Sequence, residues 1–80
     1  MSKENEPDYI KRMHDELDTL NLRIEKLKAF YNTRYMRRLP KFTCYLLHKQ
    51  LKQMKAYRDT LKLRIMYEKS EAEEHENVSD

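Results

Sequence analysis

The chain has no glycine and no tryptophan, only two prolines (Pro7 and Pro40) and a single cysteine (Cys44). Tight β-hairpins draw on Gly, Asn-Gly and Pro-Gly turns, so their scarcity argues against a sheet and suits long helices. One cysteine excludes an internal disulfide framework and a thiolate zinc site, and leaves Cys44 to be read as a half-buried structural thiol. No apolar run approaches the roughly 20 residues that span a bilayer. The opening MSKENEPD is polar and has no signal-peptide pattern, so the expectation is a soluble protein of a reducing compartment, off the membrane. Catalytic patterns are missing as well. His14, His48 and His75 are scattered, and His14-Asp15-Glu16 lacks the i, i+4 histidine pair of a helical zinc site. Neither a Ser-His-Asp arrangement nor a Gly-rich phosphate loop can be drawn. The reading is a non-enzyme without cofactor or metal.

What is present is charge and period. Of 80 residues, 39% are charged, with a net charge of +3. The charge is strongly segregated. Met1 to Leu22 holds six acids and three bases; Arg23 to Arg64 holds thirteen bases and two acids, a net of +11; Ile65 to Asp80 holds six acids and one base. Basic charge is focused in the middle and both ends are acidic.

Apolar residues at Ile10, Met13, Leu17, Leu20, Ile24, Leu27 and Phe30 or Tyr31 recur in steps of three and four, a heptad seam on one helix face. Pro7 opens this helix and Asp8 puts negative charge in its first turn. Leu47, Leu51, Met54, Leu61 and Ile65 form a second seam, flanked by Leu46 and Tyr57 and interrupted by Arg58, which reads as an opening onto solvent or a partner charge. The expectation is one all-α domain: helix 1 over 7–32, a basic connection over 33–39, helix 2 over 40–69 and a disordered acidic tail over 70–80. A short connection makes the two helices an antiparallel hairpin. Two helices cannot cover such broad apolar stripes, so hairpins are expected to associate into a compact homo-oligomer.

Beside the first seam runs a polar stripe: Tyr9, Arg12, Glu16, Thr19, Arg23 and Lys26. A tyrosine offers a face for stacking a base, and Arg or Lys offers donors and charge to phosphate. The same spacing also fits an ordinary coiled-coil flank whose long side chains pack their stems on the core. The block from Arg34 to Lys41 is compatible with phosphate contacts to DNA or RNA, or with a solvated turn. Tyr31, Tyr35, Tyr45, Tyr57 and Tyr67 read as core edge or interface positions.

The ordered set Tyr9, Ile10, Arg12, Met13, Glu16, Leu17, Leu20, Arg23, Ile24, Lys26, Leu27 and Phe30 is followed after a loop by Leu46, Leu47, Gln50, Leu51, Met54, Tyr57, Leu61, Arg64 and Ile65. This pattern resembles the phage anti-CBASS cyclic-nucleotide sponges, small helical-hairpin inhibitors of cyclic-oligonucleotide immune signalling, over about Tyr9 to Ile65. The resemblance implies a homo-oligomer, typically a hexamer, in the host bacterial cytoplasm. It implies sequestration of cyclic di- and trinucleotides without cleavage, the ligand lying between protomers. An early helix 1 tyrosine stacks on a base, a role that falls to Tyr9. A basic residue of helix 1 holds phosphate, a role that falls to Arg23 or Lys26. Arg64 matches a residue of a separate trinucleotide pocket. The basic loop departs from the pattern, as do Cys44 and Tyr45 at the start of helix 2. Related hairpins take ADP-ribose-type signals, which leaves the ligand class open. The alternatives are a basic hairpin that binds DNA or RNA and a structural coiled coil.

Overall fold

The structure, a computed structural model, describes residues 6–78; Met1 to Asn5, Ser79 and Asp80 lie outside the described residues. All regular structure among the described residues is helical: α1 spans Asp8–Tyr31, α2 is a single turn at Tyr35–Arg38, and α3 spans Lys41–Val78. The Pro7 carbonyl accepts the first backbone bonds of α1, from Ile10 N–H at 3.1 Å and Lys11 N–H at 3.3 Å. Pro7 itself is extended, with ψ at 148°, and sits just outside the helix. At the other end Asn32 and Thr33 donate backbone N–H bonds to Ala29 and Phe30. The Thr33 hydroxyl adds a second bond to the Phe30 carbonyl at 2.7 Å, which reinforces the end of the helix.

Two boundaries differ from expectation. The basic connection is not all loop: Tyr-Met-Arg-Arg, with no glycine or proline inside it, forms α2. Leu39 is then extended, with ψ at 146°, as the residue before a proline must be, and α3 begins just after Pro40. The second helix also does not stop at Lys69. It runs on to Val78, so the segment expected to be a disordered acidic tail is helical from Ser70 through Val78. Glu and Ala there are strong helix formers, and no glycine or proline interrupts them. The two long helices are therefore unequal, 24 and 38 residues, rather than a matched pair.

α1 and α3 lie side by side, and their partners run in opposite order. Glu6 meets Lys69, Met13 meets Leu61 and Ile65, Leu20 and Ile24 meet Leu51, and Tyr31 meets His48. The result is a rod 62 Å long and 19 by 14 Å across. Ile10, Ile24 and Leu61 are fully buried. Among the described residues, all of the buried side chains lie on the two seams, and none is polar.

That core is split. Met13, Leu17, Leu61 and Ile65 form one cluster. Leu20, Ile24 and Leu51, with Leu27, Tyr31 and Met54, form another nearer the turn. Arg58 occupies the seam position between Met54 and Leu61, 27% exposed, and its guanidinium Nε donates to the Asp59 carboxylate at 3.1 Å. The seam opens here to let a charge reach water and an acid, which is why the apolar contacts fall into two groups.

Candidate functional site

The polar stripe of α1 forms one long edge of the rod, and α3 supplies the other half of that edge. Glu16 and Tyr57, 41 residues apart, join across the helices, the phenol donating to the carboxylate. Tyr57 lies one position before Arg58, as Glu16 lies one position before Leu17, so both residues flank their seams on the same side. Gln50 and Arg64, seven residues either side of Tyr57, follow it on α3. An open groove of about 370 Å³ lies here, lined by Asp15, Glu16, Thr19, Leu20, Arg23 and Tyr57.

Tyr9 stands two turns toward the open end of the same edge, 46% exposed. Its phenol is held above the ordinary tyrosine pKa, first by partial removal from water, then by the Glu68 carboxylate within hydrogen-bonding reach and by the negative charges of Glu68 and Glu71. Arg64 falls between the Tyr9–Glu68 and Tyr57–Glu16 contacts on α3, and Arg12 falls between them on α1. The two arginines thus share this stretch of edge. Arg12, Arg23, Lys26 and Arg64 are all exposed. None is in an ion pair among the described residues, where the pairs are Lys28 with Glu25, Arg58 with Asp59 and Lys69 with Glu6.

Tyr9, Arg12, Arg23 and Lys26 therefore lie along one accessible edge, with Arg64 on that edge rather than on a remote face. The edge is mixed in sign. Asp15 and Glu16 border Arg23, while Glu68 and Glu71 border Tyr9. Glu16 was already visible in the polar stripe, whereas Asp15, Glu68 and Glu71, and the role of Tyr57 as a wall of the groove, were missed in the sequence. The signals for Tyr57 were its place on the flank of the second seam and its heptad spacing from Gln50 and Arg64.

The turn end is built differently. Tyr31 stacks at a tilt on His48, ring centroids 4.5 Å apart. Its hydroxyl is buried with no hydrogen-bond partner among the described residues, and burial followed by the nearby Cys44 raises its pKa. The Cys44 thiol is half-buried and donates to the Met36 carbonyl at 3.5 Å, tying α2 to α3. This is the structural role expected of it. Among the described residues no group of three His, Cys, Asp or Glu could hold a metal ion, and no helix is long and apolar enough to cross a membrane.

A family model described as Sequestin matches residues 7–67. The chain belongs to the Sequestin family. The match covers both seams and the whole polar edge, from Tyr9 to Arg64. The name agrees with the sponge resemblance seen in the sequence, and it speaks for a protein that binds and retains rather than one that converts. No curated protein and no solved structure matches the chain.

Proposed function

We propose that this Sequestin is a phage immune-evasion sponge. It binds host cyclic di- and trinucleotides along the Tyr9 to Lys26 edge and sequesters them without cleavage. The observation that carries the reading is the placement on one exposed edge of Tyr9, Arg12, Arg23, Lys26 and Arg64: one aromatic platform and four cations without ion-pair partners among the described residues, in a family named for sequestration.

The chain alone offers a wall, since the groove is open and acids border it. A second hairpin laid against this edge closes the site and adds its own cations. The apolar face of α3 turned away from α1, with Leu63, Met66 and Tyr67 exposed, supports such assembly. Stacking contributes about 1–3 kcal/mol per base. A charge-assisted contact contributes about 1.5–3 kcal/mol. Two stacked bases and two single phosphate contacts come to about 5–12 kcal/mol, so the roughly −12 kcal/mol of nanomolar binding needs each phosphate held by cations from more than one copy. Such a hexamer of hairpins acts in the host cytoplasm, where the signal is made.

Isothermal titration against a panel of cyclic di- and trinucleotides tests this. Tyr9→Ala, and Arg23→Ala or Lys26→Ala, each weaken binding at least tenfold while helicity and oligomer mass are kept. A folded protein that binds no member of the panel overturns the reading.

A further inference from the structure

From Lys26 to Arg58, thirty-three consecutive residues carry ten Lys or Arg and not one acid. The fold gathers the densest part of this run at the turn end of the rod. There Arg34, Arg37, Arg38 and Lys41 are exposed, and no ion pair engages them among the described residues. Rings are exposed alongside: Tyr35 at 67%, Phe42 at 68% and Tyr45 at 55%. Phe42 and Tyr45 lie nearly parallel, 23° between planes and 6.0 Å between centroids, one turn apart on α3. The Lys49 ammonium sits 6.0 Å above the Tyr45 ring.

A turn needed only for solubility has no reason to leave three rings in water among its cations. Flat rings interleaved with unpaired guanidinium groups fit a strand whose bases are unpaired and whose backbone is a string of phosphates. A duplex meets the charge but keeps its base faces stacked inside, so the rings gain nothing from it. A membrane interface accepts such rings too, but as part of a broad apolar helix face sunk into the acyl boundary, and among the described residues Leu46 is the one exposed large aliphatic side chain beside them. We infer that the turn end, through Arg34, Arg37, Arg38, Tyr35, Phe42 and Tyr45, is a second binding surface, separate from the polar edge, for single-stranded nucleic acid.

The test uses the full chain, a fluorescently labelled 12-nucleotide oligothymidylate, the matching duplex, and vesicles of mixed phosphatidylglycerol and phosphatidylcholine. Oligothymidylate binding is expected, weakening steeply with salt; four phosphate contacts correspond to a log–log slope of about −3. Arg37→Glu with Arg38→Glu lowers affinity for single strand and duplex alike, at least tenfold. Phe42→Ala with Tyr45→Ala lowers single-strand affinity about fivefold or more and leaves duplex affinity unchanged. All four side chains are exposed, so circular dichroism is expected to show unchanged helicity. Tyr9→Ala leaves oligothymidylate binding intact, which separates this surface from the cyclic-nucleotide edge. The inference is overturned by absence of oligothymidylate binding at 50 mM salt, by ring substitutions that act equally on single strand and duplex, or by capture of vesicles while the oligonucleotide stays free.

Discussion

Aromatic rings stand exposed toward both ends of the rod, in opposite electrostatic company. Tyr9 faces Glu68 and Glu71. Tyr35, Phe42 and Tyr45 stand among arginines and lysines with no acid within the surrounding run. A ring stacks on a base in either place, but only the turn end presents a field that favours phosphate without help from another chain. Along the polar edge Arg12, Arg23, Lys26 and Arg64 must outweigh Asp15, Glu16, Glu68 and Glu71. An edge balanced in this way attracts long polyanions weakly. It grips an anion only where geometry brings several cations onto it at once, as in a site closed by a second copy. The contrast suits a selective ligand on the edge and a less selective one at the tip.

The largest expected effect is on the frame that holds both regions. Leu61 is fully buried in the cluster under the polar edge. Leu61→Ala is expected to lower stability by about 2–5 kcal/mol, read by urea denaturation, and to abolish ligand binding with it. Arg58→Leu works in the other direction. A leucine there joins the two apolar clusters across the seam, and stability is expected to rise by about 1–2 kcal/mol. If stability falls instead, the Arg58–Asp59 contact matters more than the gap in the core.

Much of this frame was legible in the sequence, and the reasons are local. A three-four step fixes which side of a helix is apolar, and Ile10, Met13, Leu20, Ile24, Leu51, Leu61 and Ile65 all come from the seams so drawn. Arg58 stood out because it broke that step. The edge residues Tyr9, Arg12, Arg23 and Lys26 were visible as a stripe for the same reason. What the stripe faces was not visible. The pairings of Glu16 with Tyr57 and Tyr9 with Glu68 depend on the relative slide of two helices. The turn sets that slide, and no local period records it. The extension of α3 past Lys69 was hidden by composition: a Glu-rich segment reads as solvated chain, yet Glu and Ala also propagate a helix already begun.

A smaller effect is expected at the turn. The Tyr31 hydroxyl is buried and unpartnered, so Tyr31→Phe removes an unsatisfied group while keeping the ring against His48. Stability is expected to rise by about 1 kcal/mol, with the helical signal unchanged.

The smallest effect addresses the contrast between the two regions most directly. Because the Tyr9 pKa is raised in the folded chain, the unfolded chain loses this proton first as pH climbs past about 10. Stability that is fully present below that pH is therefore expected to fall as the solution passes through the folded value. In Glu68→Gln the charge beside the phenol is gone, while partial removal from water persists. The phenolate absorbance of Tyr9 should then titrate at lower pH than in the parent, though still above an ordinary tyrosine, and the alkaline loss of stability should shrink. At neutral pH the same substitution removes a negative charge from the polar edge. Cyclic-dinucleotide affinity is expected to rise about two- to fivefold, within the range of an exposed charge interaction, and oligothymidylate binding at the far end should not change. Equal gains for both ligands mean that net charge, rather than the neighbourhood of Tyr9, controls binding, and that the two ends are not electrostatically distinct.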